Sequence, residues 1–148
     1  MLDVLARVDI FQGLPERAFE QLAAKGQMRT FPPGAALMRQ GEDGQSIHVI
    51  LSGRVCVERT LPGGEKPLFL AELGSGEAVG EMAVMENEPR SATVTAVDEV
   101  QTVELEGKEV AQLVSRYPRA LENYLRVLRQ RARQTHELSA GQQSASDQ

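Results

Sequence analysis

The spacing of apolar residues changes character twice along the chain. Over the first 25 residues it is helical. Leu2, Leu5, Val8 and Ile10 lead into Phe11, and Phe19, Leu22 and Ala23 form a stripe at helical intervals. Leu14-Pro15-Glu16 opens the second helical segment, where an early proline loses little because its N–H is not needed there. From Met28 to Leu105 the pattern becomes short strands cut by glycine and proline. Phe31-Pro32-Pro33-Gly34 is a turn, Ala36-Leu37-Met38 a strand, and Gly41-Glu42-Asp43-Gly44 a second turn. Ser46 to Leu51 pairs through Ser52-Gly53 with Arg54 to Arg59, and Pro62-Gly63-Gly64 leads to Leu68, Phe69, Leu70 and Leu73. Ser91 to Val97 alternates cleanly, with Ala92, Val94 and Ala96 on one face, and Val103 and Leu105 close the last strand. After that the period returns to helical. Lys108 to Ser115 predicts one helix, and Pro118 starts a longer one with Leu121, Tyr124, Leu125, Leu128 and Ala132 on one face.

Near-regular strands with such turns predict an antiparallel barrel or sandwich flanked by helices. The organisation is a single domain over 1–137: a helical lead-in at 1–26, a barrel at 27–106 and C-terminal helices at 107–137. Ser139 to Gln148 carries no apolar residue larger than alanine, and 138–148 are expected to be a disordered tail.

Composition narrows the function. The chain has 148 residues, 41% of them hydrophobic, which is enough for a core. No apolar run approaches the roughly 20 residues of a membrane span, and no secretory signal is visible. One cysteine, Cys56, excludes an internal disulfide and favours a reducing, cytoplasmic setting. It reads as a small strand residue, with a reactive thiol as the alternative. The formal net charge is −5, against general nucleic-acid binding. Yet residues 116–133 hold six arginines against one acid, Glu122. A solvated helix face explains this, and an anionic partner or ligand is the other reading.

The candidate chemistry lies in Gly80 to Val94. Gly80 follows a short strand and precedes a predicted helical turn, where unsatisfied backbone N–H groups attract anions. Ten residues on, Arg90 enters a strand beside the hydroxyl of Ser91; a guanidinium matches phosphate geometry with two parallel donors. Glu81 is a poor phosphate neighbour but a good acceptor for a sugar hydroxyl, its charge offset by Arg90. Only two histidines exist, His48 and His136, too few for a clustered metal site, and no nucleophile–base constellation stands out. His48 reads as structural and His136 as exposed. No metal, cofactor or enzymatic role is expected.

Gly80-Glu81-Met82-Ala83 and Pro89-Arg90-Ser91-Ala92-Thr93-Val94 resemble the phosphate-binding cassette of the cyclic nucleotide-binding domain family. Arg39-Gln40-Gly41-Glu42 and Ile50-Leu51-Ser52-Gly53-Arg54-Val55 resemble its two glycine turns, and Phe11-Gln12-Gly13-Leu14-Pro15 its helical lead-in. The likeness covers most of residues 5–137 and is strongest to the bacterial catabolite-activator branch. It implies an eight-stranded jelly-roll-like barrel. It implies that Arg90 and Ser91 hold a cyclic phosphate, that Glu81 accepts from the ribose 2′-OH, and that backbone N–H groups around Gly80, Met82 and Ala83 complete the cradle. It places Thr135 against the base and tilts the ligand to cAMP through Ser91, with cGMP the alternative. Leu121, Leu125, Leu128 and Ala132 would either pair two subunits through the 118–137 helix or pack on their own barrel. Too little chain follows His136 for a helix-turn-helix domain, so specific DNA binding is not expected. The reading is a stand-alone sensor or a sensory fragment, acting through an unidentified effector. A non-nucleotide sensor or interaction scaffold on the same fold is the alternative.

Overall fold

A computed structural model describes residues 1–81 and 88–146, with 134–146 as helical backbone alone. The alternating segments form eight strands: β1 (Gln27–Phe31), β2 (Ala36–Met38), β3 (Ser46–Ser52), β4 (Val55–Arg59), β5 (Leu68–Leu73), β6 (Ala78–Val79), β7 (Thr93–Ala96) and β8 (Val100–Glu106). The helices are α1 (Leu2–Leu5), α2 (Glu16–Lys25), α3 (Gly107–Ser115) and α4 (Pro118–Ser146), with a 3-10 turn at Asp9–Phe11. Pro15 stands just before α2 in extended conformation rather than inside it.

The strands sort into two antiparallel four-stranded sheets, β1-β8-β3-β6 and β2-β7-β4-β5. This is jelly-roll order, and it corrects the expected pairing of Ser46–Leu51 with Arg54–Arg59: β3 and β4 lie in different sheets, joined by the Ser52-Gly53 turn. The expected eight-stranded barrel is corrected in one respect: the sheets face each other as a sandwich and are not hydrogen-bonded into a closed ring. The two-residue β6 and the β5 edge leave the sheets unjoined there, and the gap between them is where a cavity opens.

β3, in the middle of the first sheet, is buried on both faces. Ile47, His48, Val49 and Ile50 are all buried, an unbroken run rather than an alternation. Ile47 and Val49 join Val103 and Leu105 in a core shared with Leu5, Phe11, Leu22, Val110 and Leu128 of the helical layer. Ile50 faces the other way, into a second core between the sheets with Phe31, Val55, Val79, Val94 and Val100. The polar exceptions between the sheets satisfy one another. His48 Nδ1 lies 3.0 Å from Thr102 Oγ1 and Nε2 lies 3.2 Å from Glu104 Oε2. Glu104 in turn accepts from Arg29 at 3.1 Å. His48 is structural, as its place in a strand predicts.

α4 packs Ala120, Tyr124, Val127 and Leu128 against the lead-in and the first sheet, at the three- and four-residue spacing of one helical face. Leu128 belongs wholly to the chain's own core, while Leu121 and Leu125 pack on it only in part. The helix runs to Ser146, so the segment expected to lack regular structure after 137 is helical here. No helix is long and apolar enough to cross a membrane among the described residues.

Candidate ligand pocket

Arg90 is fixed by its backbone before its side chain is considered. Its N–H donates to Glu42 O at 2.8 Å, and its carbonyl accepts from Gly41 N at 2.9 Å. One residue earlier in the same turn, Gln40 N donates to Thr93 Oγ1 at 3.0 Å. The glycine turn at 39–42 therefore holds the start of β7 in place. The side chain turns inward, and Arg90 as a whole is 6% exposed. Nη1 donates to Gly80 O at 3.1 Å and Nη2 to Ser46 Oγ at 3.2 Å.

Two glycines make room for it. A Cβ on Gly80 would stand 2.7 Å from Arg90 Nη1 and 2.7 Å from Ser46 O, and Gly80 has φ +92°, a conformation other residues rarely adopt. A Cβ on Gly44 would stand 2.8 Å from Arg90 Nε and Nη2. Burial lowers the pKa of Arg90, while the carboxylates of Glu104, Glu81 and Glu42 raise it. The group remains a cation at working pH.

Glu81, the next residue after Gly80, is 6% exposed. Its Oε1 accepts from Arg131 Nη1 on α4. Its Oε2 is shielded from solvent and has no partner among the described residues. Arg131 Nη2 donates to Asp9 Oδ2 at 2.7 Å, so one guanidinium ties the pocket to the N-terminal turn. Burial pushes the Glu81 carboxyl above the ordinary range, with Arg131 pulling it back. Arg90 and Glu81 favour each other's charge at longer range, while the direct ion-pair partner of Glu81 is Arg131.

These groups line one cavity of about 290 Å³. Arg90, Ser91, Gly80, Glu81 and Arg131 stand along it with an apolar wall of Val57, Leu70, Ala71, Leu73 and Val94. Arg59 and Glu77 complete the polar lining. The size sits at the lower edge of ordinary small-molecule sites, roughly 300 Å³ and up. A second hollow, between α2 and α3, measures only about 20 Å³ and has room for water alone.

Four predicted site residues, Gly80, Glu81, Arg90 and Ser91, thus share one pocket. Met82 and Ala83 lie outside the described residues. Thr135 falls on α4, but its side chain lies outside them too. Sequence reasoning missed Arg131, Asp9, Ser46, Gly44 and Arg59. For Arg131 a signal existed: it stands three residues after Leu128 and seven after Tyr124, on the buried face of α4, while the other arginines of the run do not. Among the described residues no group of three metal-ligating side chains occurs.

A buried cation with a hydroxyl beside it can hold an anion. A shielded carboxylate oxygen needs a donor, and the apolar wall suits a flat hydrophobic group. Fold and site together define a jelly-roll domain with a cavity lined by a buried cation, a hydroxyl and a shielded carboxylate. The chain belongs to the cyclic nucleotide-binding domain family, whose model, described as "Cyclic nucleotide-binding domain", matches residues 28–117. It is 32% identical over 136 residues to the CRP-like cAMP-activated global transcriptional regulator of Mycobacterium tuberculosis, covering 92% of this chain and 60% of that protein. Among solved structures, the catabolite activator protein of Thermus thermophilus superposes with a TM-score of 0.77 at 31% identity, over 92% of this chain and 63% of that one. The N-terminal domain of a transcriptional regulator from Streptomyces coelicolor does so with 0.73 at 30% identity, over 93% and 95%. The chain therefore spans about three fifths of the length of the regulator it matches in Mycobacterium tuberculosis.

Proposed function

We propose that this chain is a regulatory sensor module that binds cAMP in the cavity between its sheets. The observation that carries the reading is that buried Arg90 and the shielded Glu81 Oε2, which has no partner among the described residues, share one cavity. The chain supplies Oε2 with no described donor, and a buried acceptor left unpaired costs about 1–3 kcal/mol. A cyclic ribose phosphate offers one negative phosphate for Arg90 and Ser91 and one free hydroxyl, the 2′-OH, for Glu81. A linear nucleotide has a second free hydroxyl and more charge, which this small cradle does not match. Backbone N–H groups near Gly80, Met82 and Ala83 would add to the cradle, and Thr135 would meet the base. Adenine as the base rests on Ser91 and on the cAMP-responsive relatives.

Binding works by population shift: the ligand favours the state in which α4 closes over the pocket. The ion pair from Glu81 to Arg131 already joins α4 to the ribose position, which supports that route. The output passes to an effector protein or to a further part of a longer chain, and partly exposed Leu121 and Leu125 would pair two copies along α4. The cytoplasm is the setting that keeps Cys56 reduced.

Calorimetric titration with cAMP, cGMP and 5′-AMP tests the reading. Cyclic nucleotides binding at micromolar concentration, with 5′-AMP far weaker, support it. No binding of any of the three at millimolar concentration rejects it in favour of a scaffold or a sensor of another molecule.

A further inference from the structure

Arg131 divides its guanidinium between two carboxylates. Nη1 donates to Glu81 Oε1, and Nη2 donates to Asp9 Oδ2 at 2.7 Å. An arginine and a carboxylate frequently meet through two parallel bonds. Here Asp9 holds the second nitrogen, and Glu81 Oε2 has no partner among the described residues. Glu81 lines the ligand cavity, while Asp9 stands outside that lining.

The backbone makes Asp9 a fixed post for this contact. It opens the 3-10 turn Asp9–Phe11, between fully buried Val8 and Ile10. Its carbonyl accepts from Asn123 Nδ2 on α4 at 2.7 Å. Further along the lead-in the chain touches the same helix again: a Cβ on Gly13 would stand 2.9 Å from Ala120 N. The turn and α4 therefore cannot shift apart without losing these contacts, and the Asp9 carboxylate stays where Arg131 Nη2 reaches it. That carboxylate is half exposed, so packing does not account for it.

We propose that Asp9 is a positioning residue for the ribose end of the pocket: by holding Arg131 Nη2, it keeps one Glu81 oxygen unpaired for the ligand's 2′-hydroxyl. The inference rests on the proposed cyclic nucleotide site. Without the Asp9 carboxylate, Nη2 can turn to Glu81 Oε2 and complete a two-bond pair. The hydroxyl then competes with a cation for the same oxygen. A ligand without that hydroxyl has nothing to lose there.

The test is calorimetric titration of cAMP and 2′-deoxy-cAMP into the wild-type chain, Asp9→Ala and Asp9→Glu, with melting temperatures checked alongside. The wild type is expected to prefer cAMP about tenfold, the scale of one hydrogen bond to a charged group. Asp9→Ala is expected to weaken cAMP about tenfold while changing 2′-deoxy-cAMP less than about threefold, so that the preference disappears. Asp9→Glu keeps a carboxylate on the turn and is expected to keep the preference. Equal losses for both nucleotides in Asp9→Ala, a preference that Asp9→Ala leaves intact, or one lost equally in Asp9→Glu would overturn the role of Asp9 while leaving the site intact. Failure of the wild-type chain to bind cAMP would instead overturn the site itself. Equal wild-type affinity for the two nucleotides would overturn the ribose role of Glu81, and in both cases the role of Asp9 falls with it.

Discussion

Arg90 and Gly80 are matched as a side chain and the space it needs: Nη1 donates to the Gly80 carbonyl at 3.1 Å, where a Cβ would stand 2.7 Å from the same nitrogen. The φ of +92° adds a second penalty for any side chain at that position. Gly80→Ala should therefore destabilise the fold by about 1–3 kcal/mol and displace Arg90 from the pocket. Urea denaturation reads the first effect and nucleotide titration the second. A variant as stable and as tight-binding as the wild type would show that the contact is incidental.

Arg131 is the partner whose loss should hurt most. Removing it leaves Glu81 buried and uncompensated, a situation that typically costs about 3–5 kcal/mol. Arg131→Gln should lower stability strongly. Glu81→Gln combined with Arg131→Gln should recover part of that loss, because no buried charge is then stranded. Additive losses in the double variant would mean that the two side chains do not act as a pair.

His48 gives the fold a defined acid sensitivity. Burial first, then the charges of Arg90 and Arg29, lowers its pKa from 6.5 to about 4. Between those values the unfolded chain binds a proton that the folded chain refuses. This histidine's contribution to stability therefore falls as pH drops from about 6.5 to 4, by roughly 3 kcal/mol at most. Neutral His48 has its Nε2–H donating to Glu104 and its Nδ1 accepting from Thr102, which protonation would disturb. Denaturation at pH 7, 5.5 and 4.5 should show this slope in the wild type and a shallower one in His48→Gln. Identical slopes would remove His48 from the account.

The exposed part of the α4 stripe predicts self-association. Leu121 and Leu125 are only partly buried within the chain, beside half-buried Ala132. Sedimentation of the ligand-bound chain should report a dimer that Leu125→Glu weakens at least tenfold, since a charge would enter an apolar seam. A monomer with and without ligand would leave these leucines as ordinary surface residues.

What could be read from sequence follows from how local each feature is. The strands at Ala36–Met38 and Leu68–Leu73 fall where alternation and flanking turns predict them. Gly80, Glu81, Arg90 and Ser91 were legible because a glycine, a carboxylate and an arginine sit within one short segment. The meeting of Arg131 with Asp9 was not, because it depends on α4 crossing the lead-in, 122 residues apart in sequence. The sandwich, as opposed to a closed barrel, depends on pairing at the sheet edges, which alternation alone does not specify. The helix beyond 137 runs against its polar composition, which supplies no packing face of its own.

The central claim is that Arg90 anchors a cyclic phosphate in the cavity between the sheets. Calorimetric titration of cAMP into the wild-type chain and into Arg90→Ala tests it most directly. The account predicts a loss of at least about 2–3 kcal/mol in binding free energy, roughly 30- to 160-fold, for removing a buried charge-assisted contact. Near-equal affinity in the two proteins would contradict it.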